Sequence, residues 1–393
     1  MLRPALSLAA LAHAAAPGVY PTGVQELPTP PGAAYQLVLV TDEHGDSWTV
    51  RASLDSAAGA ALEAAASLLR LLGGRLPYAV PVVAGTATGD DGTTVILYRA
   101  LPGLPLVWRD LSAASPLARS VGTAIAALHD VDPRVIEEAG LPSYDADAYR
   151  ARRLAALDRA ASTGRVPAAL LTRWERALEE VTLWKFATCV THGTLEGFHV
   201  LADTEVRAID TWERACVADP AEDFAALLAL AHPDAFDTVL EAYSGARHDQ
   251  PDPHLERRIR LSAELHRVTA LLDAMAADDD RLIERRTAAL ARFADTCADD
   301  DRLMPSPFVR RRPPAATGQE PIDPADVQAL DEGVEDETIE IPIPVPGSED
   351  TAAKDTAAED TAAEDAAPQD AAPQDAAPQD AAPGDDQGSS TPS

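Results

Sequence analysis

Positive charge, cysteine and long apolar runs are all scarce in this chain, and each scarcity closes off a class of protein. Lysine and arginine number 32 against 64 aspartates and glutamates, for a formal charge of −32, which argues against nucleic acid as a partner. The deficit is uneven: residues 319 to 393 hold 21 acidic groups and one lysine, so they carry −20 and leave −12 to the rest. The three cysteines, Cys189, Cys216 and Cys297, are an odd number without CxxC or metal-ligand spacing. That pattern fits small buried thiols in a reducing, cytoplasmic compartment better than a disulfide scaffold. No segment after the opening reaches the roughly 18 apolar residues of a membrane span.

The opening itself, Met1-Leu2-Arg3-Pro4 to Ala16-Pro17, has two readings. One basic residue, an apolar run and Ala-His-Ala resemble a signal peptide, while the same residues make a first helix stopped by Pro17-Gly18. Composition shifts near residue 305, so the 393 residues divide into one folded body of about 300 residues and a tail.

Within the body, Val24 to Leu27 reads as a short strand, and Tyr35 to Val40 with Ser47 to Arg51 as a hairpin about the turn Asp42 to Asp46. Ala57 to Leu72 is a strong helix with Leu68, Leu69 and Leu72 at core spacing. Val95-Ile96-Leu97-Tyr98 is a further strand. From Ser115 the pattern turns helical: Leu117 to Val131, Ala146 to Ala161 and Ala168 to Val181, then, beyond a strand at Lys185 to Val190, Ala235 to Tyr243, Pro253 to Ala277 and Arg281 to Cys297.

Between these helices lies Thr191-His192-Gly193-Thr194-Leu195-Glu196-Gly197-Phe198-His199-Val200-Leu201, answered by Asp210-Thr211-Trp212 and by Asp219-Pro220 with Asp223. The stretch resembles the catalytic loop HGDxxxxN and the following IDW of the aminoglycoside and macrolide phosphotransferase family, relatives of choline kinases and protein kinases. The resemblance runs in order over about residues 1 to 300. It implies an α+β, two-lobed, protein-kinase-like fold: an antiparallel-sheet N-lobe over residues 1–103 and a helical C-lobe over 104–303. It also implies ATP and Mg²⁺ as cofactors, with adenine against the hinge at Leu101-Pro102-Gly103 and a small-molecule ligand or nucleotide in the cleft.

Residue by residue, the resemblance puts Arg51 at the kinase's phosphate-pairing lysine and Glu63 at the helix carboxylate that pairs with it, with a solvated glutamate as the alternative. The loop over Pro28 to Ala34 has one glycine, Gly32, where the kinase has its glycine-rich cover. Thr194 stands at the base aspartate and His199 at the metal-binding asparagine. A threonine hydroxyl cannot replace an anionic base, and Mg²⁺ prefers oxygen ligands over imidazole. Anchored on Trp212, the metal-binding aspartate falls on Thr211, leaving Asp210 one place early, where a regular strand would point it to the opposite face. Only a bulge would return Asp210 to the cleft. Glu196 is a candidate displaced base. His192 is expected to brace the loop, Asp219 and Asp223 to cap or anchor the next helix, and His129 to serve as a structural residue at its helix C-terminus.

The tail divides into a Pro- and acid-rich linker at 304–350, marked by Arg310-Arg311-Arg312-Pro313-Pro314, and a repeat segment at 351–393. The repeats are five-residue units running from Thr351-Ala352-Ala353-Lys354-Asp355 to Ala381-Ala382-Pro383-Gly384-Asp385. They bury too little apolar surface to offset chain entropy, so disorder is expected. Residues 335–346, with alternating Ile339, Ile341, Ile343 and Val345, could add as a strand to a protein partner. Thr338 there is a candidate phosphorylation acceptor.

Three functions remain open: a pseudokinase-like protein acting by ligand or partner binding, an active small-molecule O-phosphotransferase using Asp210, Glu196 and His199, and a folded anchor for an acidic tail.

Overall fold

The computed structural model describes residues 2–29, 33–297 and 302–304. All belong to one compact unit, Met1–Ile343. Gly32, the arginine run at 310–312, Thr338, the segment 335–346 and the repeats lie outside the described residues.

The elements are α1 (Ala5–Ala15), β1 (Pro21–Glu26), β2 (Tyr35–Asp42), β3 (Ser47–Ser53), α2 (Ser56–Leu72), β4 (Val83–Thr88) and β5 (Thr94–Arg99). These are followed by β6 (Leu104–Pro105), α3 (Pro116–His129), α4 (Arg134–Glu138), α5 (Ala146–Ser162), α6 (Ala168–Glu179) and β7 (Cys189–Thr191). The last are β8 (Val200–Ala202), β9 (Val206–Ile209), β10 (Cys216–Ala218), α7 (Ala225–Leu230), α8 (Pro233–Ala246), α9 (Leu255–Ala276) and α10 (Asp280–Thr296). The fold is α+β and two-lobed: one five-stranded antiparallel sheet, and then a mainly helical part. Its helices and hairpin agree with the periodicity read above. The segment after α2 also carries a strand, β4, whose Val-Ala-Gly-Thr-Ala-Thr gives little apolar signal.

The sheet has the order β1-β2-β3-β5-β4. Its two faces are covered differently, and alternation along the strands sorts the side chains. On one face Val38, Val40, Val50, Val95 and Leu97 pack with Leu8 and Ala12 of α1. On the other, Ile96 and Tyr98 pack with Leu62 and Ala66 of α2. Arg51 pairs in register with Ile96 and lies between Val50 and Ala52, so it shares the α2 face. That face looks toward the helical part.

Helix starts follow their caps. The Asp55 carboxylate accepts from Ala58 N at 2.7 Å to begin α2, and Asp145 does the same for Ala148 N at the start of α5, also at 2.7 Å. In the helical part α3 and α8 approach closely at Gly122, where a Cβ would lie 2.3 Å from the Val239 carbonyl oxygen. Arg258 is buried and donates to Asp219 (2.8 Å) and to both oxygens of Asp252 (2.8 Å each). Cys189 and Cys297 are buried and Cys216 half-buried, all as free thiols. Among the described residues no helix is long and apolar enough to cross a membrane.

Because Leu8 is fully buried in the core under the sheet, Leu8→Ala is expected to cost about 2–5 kcal/mol in urea unfolding. Leu6→Ala, on the 76% exposed side of the same helix, should change stability by no more than about 0.5 kcal/mol.

Candidate active site

The loop between β7 and β8 is built on one carboxylate. Asp223 is fully buried and accepts from the backbone nitrogens of His192 (2.8 Å) and Gly193 (2.9 Å). Its Oδ2 also faces His129 Nε2 at 3.1 Å, whose Nδ1 faces the Tyr243 hydroxyl at 3.0 Å. If Tyr243 donates to Nδ1, His129 donates from Nε2 and every polar atom of the chain is used. Asp223 therefore anchors the loop itself, not the helix after it. Asp219 takes the capping position, accepting from Ala221 N at 3.0 Å.

Gly193 is required here: its φ is +87°, and a Cβ would lie 2.2 Å from the Arg214 carbonyl oxygen. The next residue, Thr194, turns its hydroxyl onto the Gly193 carbonyl. Its own carbonyl is bracketed by two imidazoles, His192 Nδ1 at 3.0 Å and His199 Nδ1 at 2.9 Å. His192 Nε2 reaches the Asp210 carbonyl at 2.8 Å, so this ring ties the loop to the end of β9. The expected bracing role of His192 has this geometry.

At the end of β9 strand alternation stops. Thr211 has φ +67°, a left-handed conformation that is rare for a β-branched residue. Thr211 N donates to Asp210 Oδ1 at 2.8 Å and Trp212 Nε1 to the Ile209 carbonyl at 2.8 Å, which together hold the turn. The result is that Asp210 and Thr211 both face Arg51. The Thr211 hydroxyl accepts from Arg51 Nη1 at 3.2 Å, and Asp210 Oδ2 lies 4.0 Å from the same nitrogen. Tyr98 on β5 donates to the Asp210 carboxylate, with oxygens at 3.0 and 3.2 Å.

The principal partner of Arg51 is Glu213, whose Oε1 lies 2.8 Å from Nε. Both side chains are more than nine-tenths buried. The contact is an ion pair and not a directed hydrogen bond, since neither Arg51 Nε–H nor Glu213 Oε2 has an aligned partner. Burial works against the Arg51 charge, yet Glu213, Tyr98 and Asp210 hold its pKa above the ordinary arginine value. At Glu213 burial wins, raising the carboxyl's pKa in spite of Arg51. Tyr35 packs its ring 4.9 Å from the Arg51 guanidinium, and burial followed by Glu213 pushes its hydroxyl up to about 12.

Arg51 does not pair with Glu63. The helix carboxylate is exposed, and its Oε1 is 3.4 Å from the Thr94 hydroxyl, so a residue from the far side of the cleft takes its place. Nothing in the local sequence marks Glu213 for this role, because it depends on the Thr211 turn. Glu196 is half-buried. Burial raises its pKa, against the charges of His266, His192 and Arg214. The His199 ring is buried and lies 5.1 Å from the His192 ring, tilted 38° to it. Burial first, then the charges of His192 and Arg51, push its pKa well below 6.5.

The fit of a divalent cation follows from these commitments. Mg²⁺ needs oxygen donors in an octahedron. The Asp210 oxygens are engaged by Tyr98 and Thr211, and His199 Nδ1 is turned to a carbonyl. Among the described residues no group of three or more His, Cys, Asp or Glu side chains is placed to hold a metal ion, and Mg²⁺ held with a ligand's phosphates would have Asp210 as its one carboxylate here. This donor set does not fit Mg²⁺. A cavity of about 430 Å³ lies elsewhere, at the end of α3, lined by Arg75, Asp130, Asp132 and His248, and has no part in the loop's chemistry.

A family model described as the phosphotransferase enzyme family matches residues 28–258. The chain belongs to that family. Among solved structures it is similar to apo macrolide 2'-phosphotransferase MphH from Brachybacterium faecium, with 26% identity, 72% of this chain and 97% of that one covered, and a TM-score of 0.62. Aminoglycoside 2'-phosphotransferase-IIIa in its GDP complex shares the fold at 18% identity, covering 75% of this chain and 99% of that one with a TM-score of 0.63. A curated relative, the uncharacterized protein YcbJ of Bacillus subtilis (strain 168), is 24% identical over 207 residues; these make up 49% of this chain and 66% of that relative's length.

Two predictions follow from this geometry. Asp223→Asn puts an amide NH₂ among donors, and the expected cost is about 2–4 kcal/mol in urea unfolding. The second concerns pH. As pH falls below 6.5, an unfolded histidine takes up a proton that folded His199 refuses, so the unfolded chain binds more protons and stability drops with falling pH. Between pH 6.5 and 5, wild type should lose up to about 1.4 kcal/mol per pH unit more than His199→Asn, measured by denaturant midpoints across that range.

Proposed function

We propose that this chain is a phosphotransferase-fold protein that has lost metal-dependent phosphoryl transfer and works by binding a ligand in the cleft. The observation that carries the reading is the state of the position where the family has its base. Thr194 offers no carboxylate, its hydroxyl is turned onto the Gly193 carbonyl, and its carbonyl lies 3.0 Å from His192 Nδ1. Phosphoryl transfer depends on placing charge around the moving phosphoryl group, and the Arg51 charge of this cleft is taken up by Glu213 and Asp210 instead. The loop, the Asp223 anchor and the Trp212 turn remain as a rigid frame, which is what a binding site needs.

One observation favours a second reading, an active O-phosphotransferase on a hydroxylated small molecule of the macrolide kind. Glu196 lies two residues from Thr194, and burial keeps its carboxyl above the ordinary range, the direction that suits a general base. In this reading Glu196→Gln would abolish turnover.

The two readings separate on ATP and magnesium. With ATP, wild type is expected to show the same thermal midpoint with and without Mg²⁺, to within about 1 °C, and no phosphate transfer to a macrolide. Against the midpoint change of about 2–4 °C per kcal/mol typical of a domain this size, a magnesium-dependent rise that disappears in Asp210→Ala would establish the enzyme reading.

A further inference from the structure

The Arg51–Glu213 pair has a meaning beyond the loss of a metal. A guanidinium on this face of the sheet is a ready anion receptor, because its fork of N–H donors matches phosphate oxygens. Here the guanidinium already has polar and anionic neighbours. Glu213 lies at 2.8 Å on Nε, while the Thr211 hydroxyl at 3.2 Å and Asp210 at 4.0 Å share Nη1. Tyr35 covers the guanidinium face. These contacts reach Arg51 of β3 from two other segments, β2 and the turn after β9, so the arrangement is built by the fold.

Resting on the reading of the cleft as metal-free, we propose that Glu213 is a specificity residue: its carboxylate occupies the place on Arg51 that a ligand phosphate would take and so excludes polyphosphate ligands. A triphosphate approaching Arg51 meets two carboxylates, Glu213 and Asp210, within 4.0 Å of that guanidinium. On the metal-free reading, nothing offsets that repulsion. Like charges at such distances in a partly buried site cost far more than in water. The remaining groups change little: Arg214 is exposed and screened by salt, His199 is held neutral, and the Glu196 carboxyl adds no positive charge. The pair is also displaceable by design of its geometry, since Glu213 Oε2 and Arg51 Nε–H lack aligned hydrogen-bond partners. Removing the carboxylate therefore frees the guanidinium without breaking a directed hydrogen bond.

The test is calorimetric titration of the full chain with ATP and with inorganic tripolyphosphate, both in EDTA, for wild type, Glu213→Gln, Glu213→Ala and the double variant Glu213→Gln/Arg51→Met. Circular dichroism and thermal melting establish that each variant is folded. The expected result is that both single variants bind ATP and tripolyphosphate about 10- to 100-fold more tightly than wild type, and that the double variant loses the gain. A companion titration of wild type with ATP and Mg²⁺ isolates the underlying reading: tight magnesium-dependent binding overturns that reading and the inference together. With that arm negative, equal metal-free affinities for wild type and a folded single variant overturn the inference alone. So does a gain that survives Arg51→Met.

Discussion

Much of this structure depends on one buried anion. Asp223 has no access to solvent, and it is tolerated there because two loop nitrogens and His129 surround it with donors. A carboxylate so placed is costly to desolvate unless its lone pairs are used, so its donors are constrained to stay. That constraint joins three distant parts of the chain: the end of α3 through His129, the loop through His192 and Gly193, and α8 through Tyr243. The loop holds its shape whether or not it carries a catalytic base. The anchor uses backbone nitrogens of the loop, so the frame does not depend on the side chain at Thr194.

The same logic recurs farther from the cleft. Arg258, buried in α9, donates to Asp219, Asp252 and the Leu183 carbonyl. Arg153 reaches Glu222 and Ser262, and burial of Glu222, which alone would raise its pKa, is outweighed by Arg153 and His266 so that the carboxyl sits below its ordinary range. These networks attach the helices of the second lobe to the turn at Pro220–Phe224 and thereby to the loop. Asp219 and Asp223 stand four residues apart and divide the work, one facing the Arg258 network and the other the loop.

At the cleft the charges are arranged inward. Arg51 is placed by strand pairing on the α2 face of the sheet, yet its partner comes from the turn after β9 and not from α2. Glu63 fails to reach it because the helix carries that carboxylate on its exposed side. Thr211 is the hinge of this outcome. Its left-handed backbone breaks the two-residue alternation that would have sent Asp210 and Thr211 to opposite faces, so both reach Arg51, and Glu213 follows two residues on. A conformation that costs of order 1–3 kcal/mol persists because Trp212, His192 and Arg51 each hold the turn in place.

How much of this was legible beforehand divides along physical lines. Helix positions, the hairpin and the loop's family came from periodicity, turn residues and the order of motifs, all of which are short-range properties. Strand β4 escaped because its alanine, glycine and threonine residues carry no apolar period. The replacements at Thr194 and His199 were visible as missing charge and a changed donor type. The face that Asp210 presents was not, since alternation is an inference about regular strands and Thr211 ends the strand. By itself the sequence determined which charges are present and which segments are helix or strand, because these follow from composition and local geometry. Only the tertiary structure decided which charges meet: Asp223 with the loop, and Glu213 in place of Glu63 on Arg51. Such pairings depend on backbone turns and burial contributed by segments up to about 160 residues apart.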